Sequence, residues 1–541
     1  MATLTPLSGT LGEKNAAHLL RRATFGPNVQ SIKSFSTLTV TQAMDILFAE
    51  VTAPEPPVDS SGITWVGPEA TASGEDNGAL ENYFMIWFLE QMRKSGNSIV
   101  ERVVFFLHSH LPARRTVIEN AKSLYYQNTL FRYYALGDFK TLFKKICIDN
   151  AMLVYLDGAT NVVGTFNENF AREMLELYSI GKGVQLDDGD YTNYTEDDIK
   201  AAAKVLTGFR YDGSLSNIDE DTSIPIGIPN PDLHDFSLKT FSSKFGGATI
   251  GGSGSTEKDM LNELDAMITM IFNQDETARF ITRKLYRYFV YYDISSEVES
   301  NIITPLAANF KAANYDLSTL LKELLSSQHF YYADDEVTSN NNIGAIIKSP
   351  IDLMLGTLNF FDVVMPDPET ELQKLYENAY QNGILTDIFD QGLSFFEPYE
   401  VAGYPAYHQF PGYNRNWITP ITLAYRYHFS NHAIKGENGG ETMGYKADVV
   451  TWVDNTDNVA DASVAGNIVT ALTNYFLAIE VDPESDRYNY FLDSVFLANI
   501  TSEAWSSAWI AYASGGADTT IRPILEDFVA SLMQTPEFQL Y

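Results

Sequence analysis

The chain has 541 residues, 45% of them apolar, and its 36 basic and 70 acidic side chains give a formal net charge of −34. This acid excess excludes a general nucleic-acid binder, because attraction to phosphates requires clustered Lys and Arg, and it argues against docking on anionic membranes. The 33 Phe, 31 Tyr and 6 Trp exclude a disordered chain, because so many rings can build a large core.

The sequence leaves the cellular compartment open. Its single cysteine, Cys147, rules out an internal disulfide. The lack of a disulfide fits both a protein of a reducing compartment and a secreted protein large enough to fold without one. The first twenty residues, MATLTPLSGTLGEKNAAHLL, contain no basic region followed by an apolar stretch, so no secretion signal is predicted. No run of about 18 apolar residues occurs, so no membrane-spanning helix is predicted.

Helix-capping residues and apolar periodicity predict a mainly α fold, in which helix exceeds strand by at least about threefold. The clearest helices are 167–181, which ends at Gly181, and the helix that follows the capping-box pair Thr195 and Asp198. Further helices are predicted at 14–23, 80–92, 98–107, 117–135, 139–153, from 256 onward, and at 277–292, 316–330 and 521–535.

Three segments depart from helical patterning. Residues 52–78 are rich in Pro, Gly, Ser and acids, which is typical of irregular structure. Residues 210–255 combine Gly, Pro and Asp with short β-prone pieces and are predicted to form a β-hairpin-bearing insertion. Residues 393–432 are dense in Tyr, Phe, His, Pro and Asn, and we expect a long, ordered, aromatic-rich loop segment there.

We expect residues 1–541 to form one helical unit. The helices within 80–107 are apolar nearly all round, so other helices have to cover them on every side. Segments 14–210 and 256–330 are expected to share this helical core, with 210–255 inserted into it. Residues 331–541 are expected to form a C-terminal helical part that contains the loop segment.

Two histidines, His108 and His110, lie where an apolar helix is predicted to end. On a continuous helix, positions i and i+2 point about 200° apart and cannot share a metal ion. If the helix ends at Leu107, an extended H-x-H would place both rings on one side, as in several metal sites. The alternative is a helix-end pair that caps carbonyls or packs in the core.

The helix 167–181 carries a polar face formed by Asn169, Arg172, Glu173 and Glu176. Arg172 can reach Glu168 and Glu176 at four-residue spacing, which ordinarily gives an exposed ladder worth about 0.3–0.5 kcal/mol per pair. The functional alternative is that this face is buried against His108 and His110. Glu173 would then act as a general base or metal ligand.

Two charged patterns suggest weaker sites. Arg279, Arg283 and Arg287 recur every four residues, and such a stripe requires either internal acids or a bound anion; in so acidic a chain we expect internal acids. The loop LDDGDYTNYTEDD offers closely spaced oxygen ligands, but its order departs from that of an EF-hand calcium loop. Its candidate calcium ligands are Asp187, Asp188, Asp190 and Asn193.

Several motifs together resemble one uncharacterised bacterial family, the domain of unknown function 1800. They are AAHLLRRATFGP (16–27), LHSHL (107–111), NENFAREMLELYSIG (167–181), YTEDDIKAAAKVLTGF (194–209), LHDFSLKTF (233–241), ARFITRKLYRYFV (278–290) and SLMQTPEFQLY (531–541). Their order and spacing match over nearly the whole chain. Where the family commonly has H-N-H-F, this chain has His-Ser-His-Leu. The resemblance implies a helical protein, often found beside a secreted, sulfatase-like partner family, and no established activity.

Two functional hypotheses follow. The first is a metal-assisted hydrolase with a polar pocket, in which His108 and His110 bind a divalent, zinc-like metal and Glu173 and Arg172 are catalytic. Its further pocket residues are Asn169, His234 and Asp235. The second is a non-enzymatic, cell-surface or secretion-associated module that binds a protein partner, with an extracytoplasmic location implied by the resemblance. Its recognition surface would comprise Tyr404, Tyr407, His408, Tyr413 and Trp417.

Overall fold

A computed structural model describes residues 2–332, 346–436 and 444–541. Helix accounts for 55% and strand for 6% of the structure, which confirms the mainly α fold class and the predicted excess of helix. In the described ranges, no helix is long and apolar enough to cross a membrane.

The helices of the first 330 residues follow the predicted order, with breaks where the sequence suggested longer runs. Segments 117–135 and 139–153 are each divided into two helices. The α-helices are Gly12–Ala23, Val29–Ser36, Val40–Leu47, Asn77–Lys94, Val100–His110, Arg115–Ile118, Ala121–Tyr134, Phe139–Ile146, Asn150–Tyr155, Glu168–Glu173, Glu196–Val205, Glu257–Phe272, Asp275–Phe289, Ser296–Val298, Thr304–Ala312 and Leu317–Ser326.

The rest of the described chain is also helical. Its α-helices are Pro350–Phe360, Leu385–Asp390, Pro405–His408, Pro420–Lys435, Val449–Asp454, Ala465–Phe476, Asp486–Asn489, Ser502–Ala513 and Ile521–Met533. Four π-helical segments extend or precede α-helices, at Met174–Ser179, Glu299–Ile303, Lys374–Ile384 and Tyr490–Phe496. Short 3₁₀ turns occur at Gly158–Thr160, Pro231–Leu233, Ser243–Phe245 and Tyr413–Trp417.

The capping residues read from the sequence do begin their helices. Thr195 accepts a hydrogen bond from the Asp198 amide while Asp198 accepts from the Thr195 amide, and Thr256 forms the same capping box with Asp259. Each box satisfies backbone N–H groups that have no partner inside the helix, which fixes where the helix starts.

Three small antiparallel sheets contain all six strands of the described chain. Gln185–Asp187 pairs with Asp190–Tyr191 in the acidic turn. The other two sheets lie at or inside the predicted insertion, with Phe209–Arg210 paired to Ile228–Pro229 and Lys239–Thr240 paired to Thr249–Ile250. The short antiparallel strands predicted for this region are therefore present.

The buried apolar residues form one connected cluster that extends along the chain from Leu11 to Phe538. Helices Asn77–Lys94 and Val100–His110 contribute, among others, the fully buried Phe84, Phe88 and Phe105. This enclosure agrees with apolar residues placed nearly all round both helices. The division of the chain into core, insertion and C-terminal part stays a prediction.

The aromatic segment 393–432 is less loop-like than predicted. Pro420–Lys435 is a 16-residue helix, and Thr419 caps it by accepting from the Thr422 amide. Its apolar and polar residues are distributed without a one-sided stripe, so the helical period does not show in the sequence. The remaining part, 393–419, contains only the short turns of helix at Pro405–His408 and Tyr413–Trp417.

Candidate functional site

The helix that carries the H-x-H motif runs through both histidines and ends at His110 rather than at Leu107. The two rings therefore point to different sides of one helix, and the extended arrangement that would let them share a metal ion is not formed. His108 Nε2 lies 3.1 Å from the Tyr404 hydroxyl, and His110 Nε2 lies 3.0 Å from the Tyr178 carbonyl oxygen.

Both imidazoles are buried, and burial lowers the pKa of each to about 3. For His110 the neighbouring Lys284 ammonium adds to this lowering. The neutral rings are hydrogen-bonded and packed against aromatic side chains, with the His108 ring centroid 4.2 Å from that of Phe396. The two histidines thus take the core-packing role that the sequence left as the alternative.

The predicted polar face of helix 167–181 does not join the histidines through its side chains. Arg172 donates to both carboxylate oxygens of Glu196, at 2.8 and 2.7 Å, and lies 3.7 Å from Glu168. Asn169 is exposed. Burial and the neighbouring Glu176 raise the pKa of Glu173. Among the described residues, neither imidazole forms a hydrogen bond with Arg172, Glu173 or Asn169.

His234 and Asp235 belong to a separate buried cluster that fastens the insertion to helix Glu257–Phe272. His234 Nδ1 lies 2.7 Å from the Thr207 carbonyl oxygen and its Nε2 3.1 Å from Glu263, which also accepts from Lys239. The Asp235 amide donates to the Thr207 hydroxyl at 2.8 Å. These hydrogen bonds give both His234 and Asp235 a structural role.

The predicted calcium loop is a hairpin whose carboxylates have local roles. Asp187 accepts from the Asp188 amide, and Asp190 lies 3.3 Å from Lys244. Within the described ranges, no group of three or more His, Cys, Asp and Glu side chains is arranged to hold a metal ion. The structure therefore does not bring together either the zinc-like or the calcium ligand set suggested by the sequence.

The arginine stripe on helix Asp275–Phe289 divides into paired and unpaired members. Arg283 meets Glu276 at 2.5 Å and Glu299 at 2.7 Å, and Arg279 lies 3.7 Å from Glu276, as expected for internal acids. Arg287 differs, because no carboxylate of the described chain lies within ion-pair distance of it. The same holds for Lys284, which lies one turn before Arg287 on the same helix.

Lys284 and Arg287 line a cavity, here called the Lys284 cavity, with an empty volume of about 590 Å³ including its solvent-open part. Its lining residues are Phe106, Ser109, His110, Lys284, Arg287, Tyr288, Tyr292, Ile346, Ile347, Ser349, Ala402, Ala406, Tyr407, His408, Tyr413, Asn414, Trp417 and Tyr541.

Residues from both functional hypotheses meet in this cavity. His110 comes from the predicted metal set, and Tyr407, His408, Tyr413 and Trp417 come from the predicted partner surface. The fifth member of that surface, Tyr404, is buried, and its hydroxyl lies next to His108 Nε2 and accepts a hydrogen bond from the Phe396 amide. These side chains face inward, and they do not form an exposed recognition surface.

Close backbone packing holds the aromatic segment against the histidine helix. Gly403 has φ +97°, and a Cβ there would lie 2.6 Å from the Ser109 carbonyl oxygen, so only glycine fits at this contact. Nearby, the Tyr178 hydroxyl donates to the Val401 carbonyl at 2.7 Å. The segment that follows is thereby directed across the end of helix Val100–His110.

The motifs that suggested a family resemblance are thus arranged around one helical core. A family model with the description "Protein of unknown function (DUF1800)" matches residues 18–540. The chain belongs to this family. No curated protein and no solved structure matches the chain.

In this family member the two cations of the Lys284 cavity, Lys284 and Arg287, contact rings and a backbone carbonyl instead of carboxylates of the described chain. The half-buried Lys284 amine has its pKa lowered to about 8 by burial and by Arg287, and its Nζ lies 5.3 Å from the centroid of the Phe280 ring. Arg287 donates to the Tyr292 carbonyl at 3.2 Å and lies 5.2 Å from the Tyr413 ring centroid. Burial and then Lys284 lower the pKa of His408 to about 4.

Sequence reasoning missed Lys284, Tyr292, Asn414 and Tyr541 as lining residues of the cavity. Lys284 was visible as the fourth cation of RFITRKLYR, but sequence spacing does not show which cations lack acids. The buried side-chain oxygen of Asn414 has no hydrogen-bond partner among the described residues, which marks an unused polar contact in the cavity wall. Tyr541 is brought here only by the tertiary fold.

Proposed function

We propose that this protein binds a small organic anion in the Lys284 cavity. The observation that carries the proposal is the pair Lys284 and Arg287, two cations that line one cavity without a carboxylate partner in the described chain. In a sequence with 70 acids and 36 bases, internal acids are abundant, and Arg283 on the same helix has two of them. The exception at Lys284 and Arg287 favours an external anion.

The walls of the cavity favour an anion that also carries an apolar or aromatic part. Tyr288, Tyr292, Tyr407, Tyr413 and Trp417 contribute ring surface. Rings of this kind bury apolar ligand surface while their polar edges remain available for hydrogen bonds. The lysine and arginine would then orient the anionic group, and the tyrosines would hold the rest of the ligand.

The two hypotheses drawn from the sequence remain hypotheses. A metal-assisted hydrolase requires a ligand set, and the His108 and His110 rings engage different partners, Tyr404 and the Tyr178 carbonyl. A protein-binding surface requires exposure, and Tyr404 and Trp417 are only 3% and 4% exposed. Anion binding is better supported because it uses charges that the described chain leaves unpaired.

Isothermal titration calorimetry with phenyl phosphate tests the proposal. Wild-type protein should bind this probe more tightly than inorganic phosphate, and Lys284→Gln and Arg287→Gln should each weaken binding about tenfold or more. The matched control is Arg279→Gln, which removes the same charge from the same helix outside the cavity. Equal binding by all four proteins, or no binding by the wild type, would contradict an anion site here.

A further inference from the structure

A second cavity shares Tyr541 with the Lys284 cavity and is here called the Lys348 cavity. Its charged lining residues are Arg21, Lys348 and Asp352, and its aromatic wall includes Tyr475, Phe476 and Phe538. Its empty volume is about 420 Å³, including the part open to solvent.

The carboxylate of Asp352 is already engaged. It forms a buried ion pair with Arg102, and its second oxygen accepts from the Ser349 hydroxyl at 2.7 Å. Arg102 is further fixed by donating to the Tyr541 hydroxyl at 3.0 Å. Asp352 therefore pairs directly with Arg102, and it acts on Lys348 only at longer range.

Those two cations have only weak local partners. Arg21 donates to the Tyr475 carbonyl at 2.7 Å, and the Lys348 ammonium lies 3.7 Å from the centroid of the Phe538 ring. Neither has a carboxylate within ion-pair distance among the described residues. A ring face attracts a cation less strongly than an anion does, so both charges remain largely uncompensated.

Two more buried arginines increase the excess of positive charge. Arg22 and Arg426 are each 1% exposed, and both bond mainly to backbone or amide oxygens. Within the part of the chain that the structure describes, Arg22 Nε and Nη2 and Arg426 Nε have no hydrogen-bond partner. With Arg21, Arg102 and Lys348, five cations thus surround one engaged carboxylate.

Burial of this many like charges is costly without a counter-ion. The effect shows in the acid–base equilibria, because burial lowers the pKa of Arg21 to about 10 and of Arg426 to about 9. Burial and the nearby Arg21 also lower the pKa of Lys348 well below its usual range. A bound anion would reverse these shifts.

We infer that the Lys348 cavity binds a compact oxyanion, of the size of sulfate, phosphate or a carboxylate, between Lys348 and Arg21. The inference does not depend on the proposed function, because none of its cations lines the Lys284 cavity. The excess of buried cations over carboxylates supplies the attraction. The unpartnered N–H groups of Arg22 and Arg426 show that the described residues do not provide enough hydrogen-bond acceptors for these arginines.

The backbone explains how two cation sites lie side by side without merging. Ile347 forms an antiparallel bridge with Leu540, and the Lys348 amide donates to the Gln539 carbonyl at 2.9 Å. On this segment Ile346, Ile347 and Ser349 line the Lys284 cavity, whereas Lys348 lines the other.

Calorimetric titration with inorganic sulfate at constant ionic strength tests the second site. The measurement starts from the double variant Lys284→Gln, Arg287→Gln, so that the first cavity does not contribute. This protein should retain one sulfate-binding event, and adding Lys348→Met should weaken it about tenfold or more. Lys200→Met, which removes an exposed lysine paired with Asp197, is the control and should leave the event unchanged.

Failure of this inference is distinct from failure of the proposed function. Absence of sulfate binding in the double variant, or binding that Lys348→Met leaves unchanged, would overturn the second site while phenyl phosphate binding by the wild type could still be observed. Parallel titrations with phosphate and acetate identify the oxyanion. A site of this charge should take the divalent anions more tightly than acetate, and a uniform lack of response to all three would count against it.

Discussion

Arg283 and Arg287 lie one turn apart on the same helix, and among the described residues Arg283 meets two carboxylates, those of Glu276 and Glu299, while Arg287 meets none. Arg287 instead donates to a backbone carbonyl and lies over the Tyr413 ring. Because the helix presents the two guanidinium groups to different surroundings, a regular stripe in the sequence has two physical roles. One residue stabilises the fold by ion pairing, and the other contributes an unpaired charge to a cavity.

Lys284, the second cation of the Lys284 cavity, predicts that ligand binding depends on pH. Lys284 has a pKa lowered to about 8, so it loses its proton as the pH rises through this value. The affinity for phenyl phosphate should therefore fall between pH 7 and pH 9, as measured by calorimetry. Lys284→Arg keeps the charge at the higher pH and should flatten the profile. An identical decline in both proteins would assign the effect to another group.

The ion pairs of Arg172 and Arg132 should differ in their contribution to stability. Arg172 and Glu196 have side chains about one-third exposed, whereas Arg132 and Glu101 are 8% and 10% exposed and bonded at 2.7 and 2.8 Å. We expect Arg172→Ala to lower the free energy of unfolding by at most ~1 kcal/mol and Arg132→Met to lower it by about 3–5 kcal/mol.

Urea unfolding of the two variants beside the wild type provides the measurement. The reason for the contrast is that Arg132→Met leaves the Glu101 carboxylate buried without its partner, while Glu196 can be rehydrated. The sequence left two alternatives for Arg172, an exposed ladder and a face buried against His108 and His110. A loss of several kcal/mol for Arg172→Ala would contradict the exposed ion pair seen in the structure.

The buried histidines should make the protein less stable in acid. The folded-state pKa of His108 is lowered to about 3, while an unfolded histidine titrates near ~6.5. Below about pH 6.5 the unfolded chain therefore binds protons that folded His108 does not, and stability is lost as the pH falls toward 3. His108→Gln should reduce the slope of unfolding free energy against pH across this window.

The control for this experiment is His428→Gln, since His428 is exposed. That variant should retain the wild-type slope in denaturant titrations at pH 6.5, 5.5 and 4.5. If the slopes of the two variants were equal, burial of His108 would not be a source of the acid sensitivity.

The shared helical core can be tested by limited proteolysis. Residues 52–78 are largely exposed and irregular up to the helix at Asn77, so we expect early cleavage there. The pieces should remain associated, because the apolar cluster includes residues on both sides of the cut. Size-exclusion chromatography of the nicked protein provides the readout. Release of a stable fragment cut between 110 and 256 would contradict the predicted domain organisation.

Particular residues show how far sequence reasoning reached. Thr195, Asp198, Thr256 and Asp259 act locally, within one turn of helix, so their capping roles could be predicted correctly. The end of the H-x-H helix could not be predicted correctly. Whether it ends at Leu107 or three residues later at His110 decides where the two rings point, and such boundaries depend on tertiary contacts. The partner of Arg172 was missed for a related reason, since Glu196 lies 24 residues away on another helix.

The sequence by itself determined the helical class, the capped helix starts, the short strands within 210–255 and the family to which the chain belongs. These features depend on local hydrogen bonding, on apolar periodicity and on motifs that can be read in order. Only the tertiary structure decided that Tyr407 and Trp417 face a cavity with His110. It also decided that, in the described ranges, Lys284 and Arg287 have no acid within ion-pair distance while Arg283 has two. Burial and charge compensation are properties of the surroundings of a side chain, and those surroundings come from segments far apart in the chain.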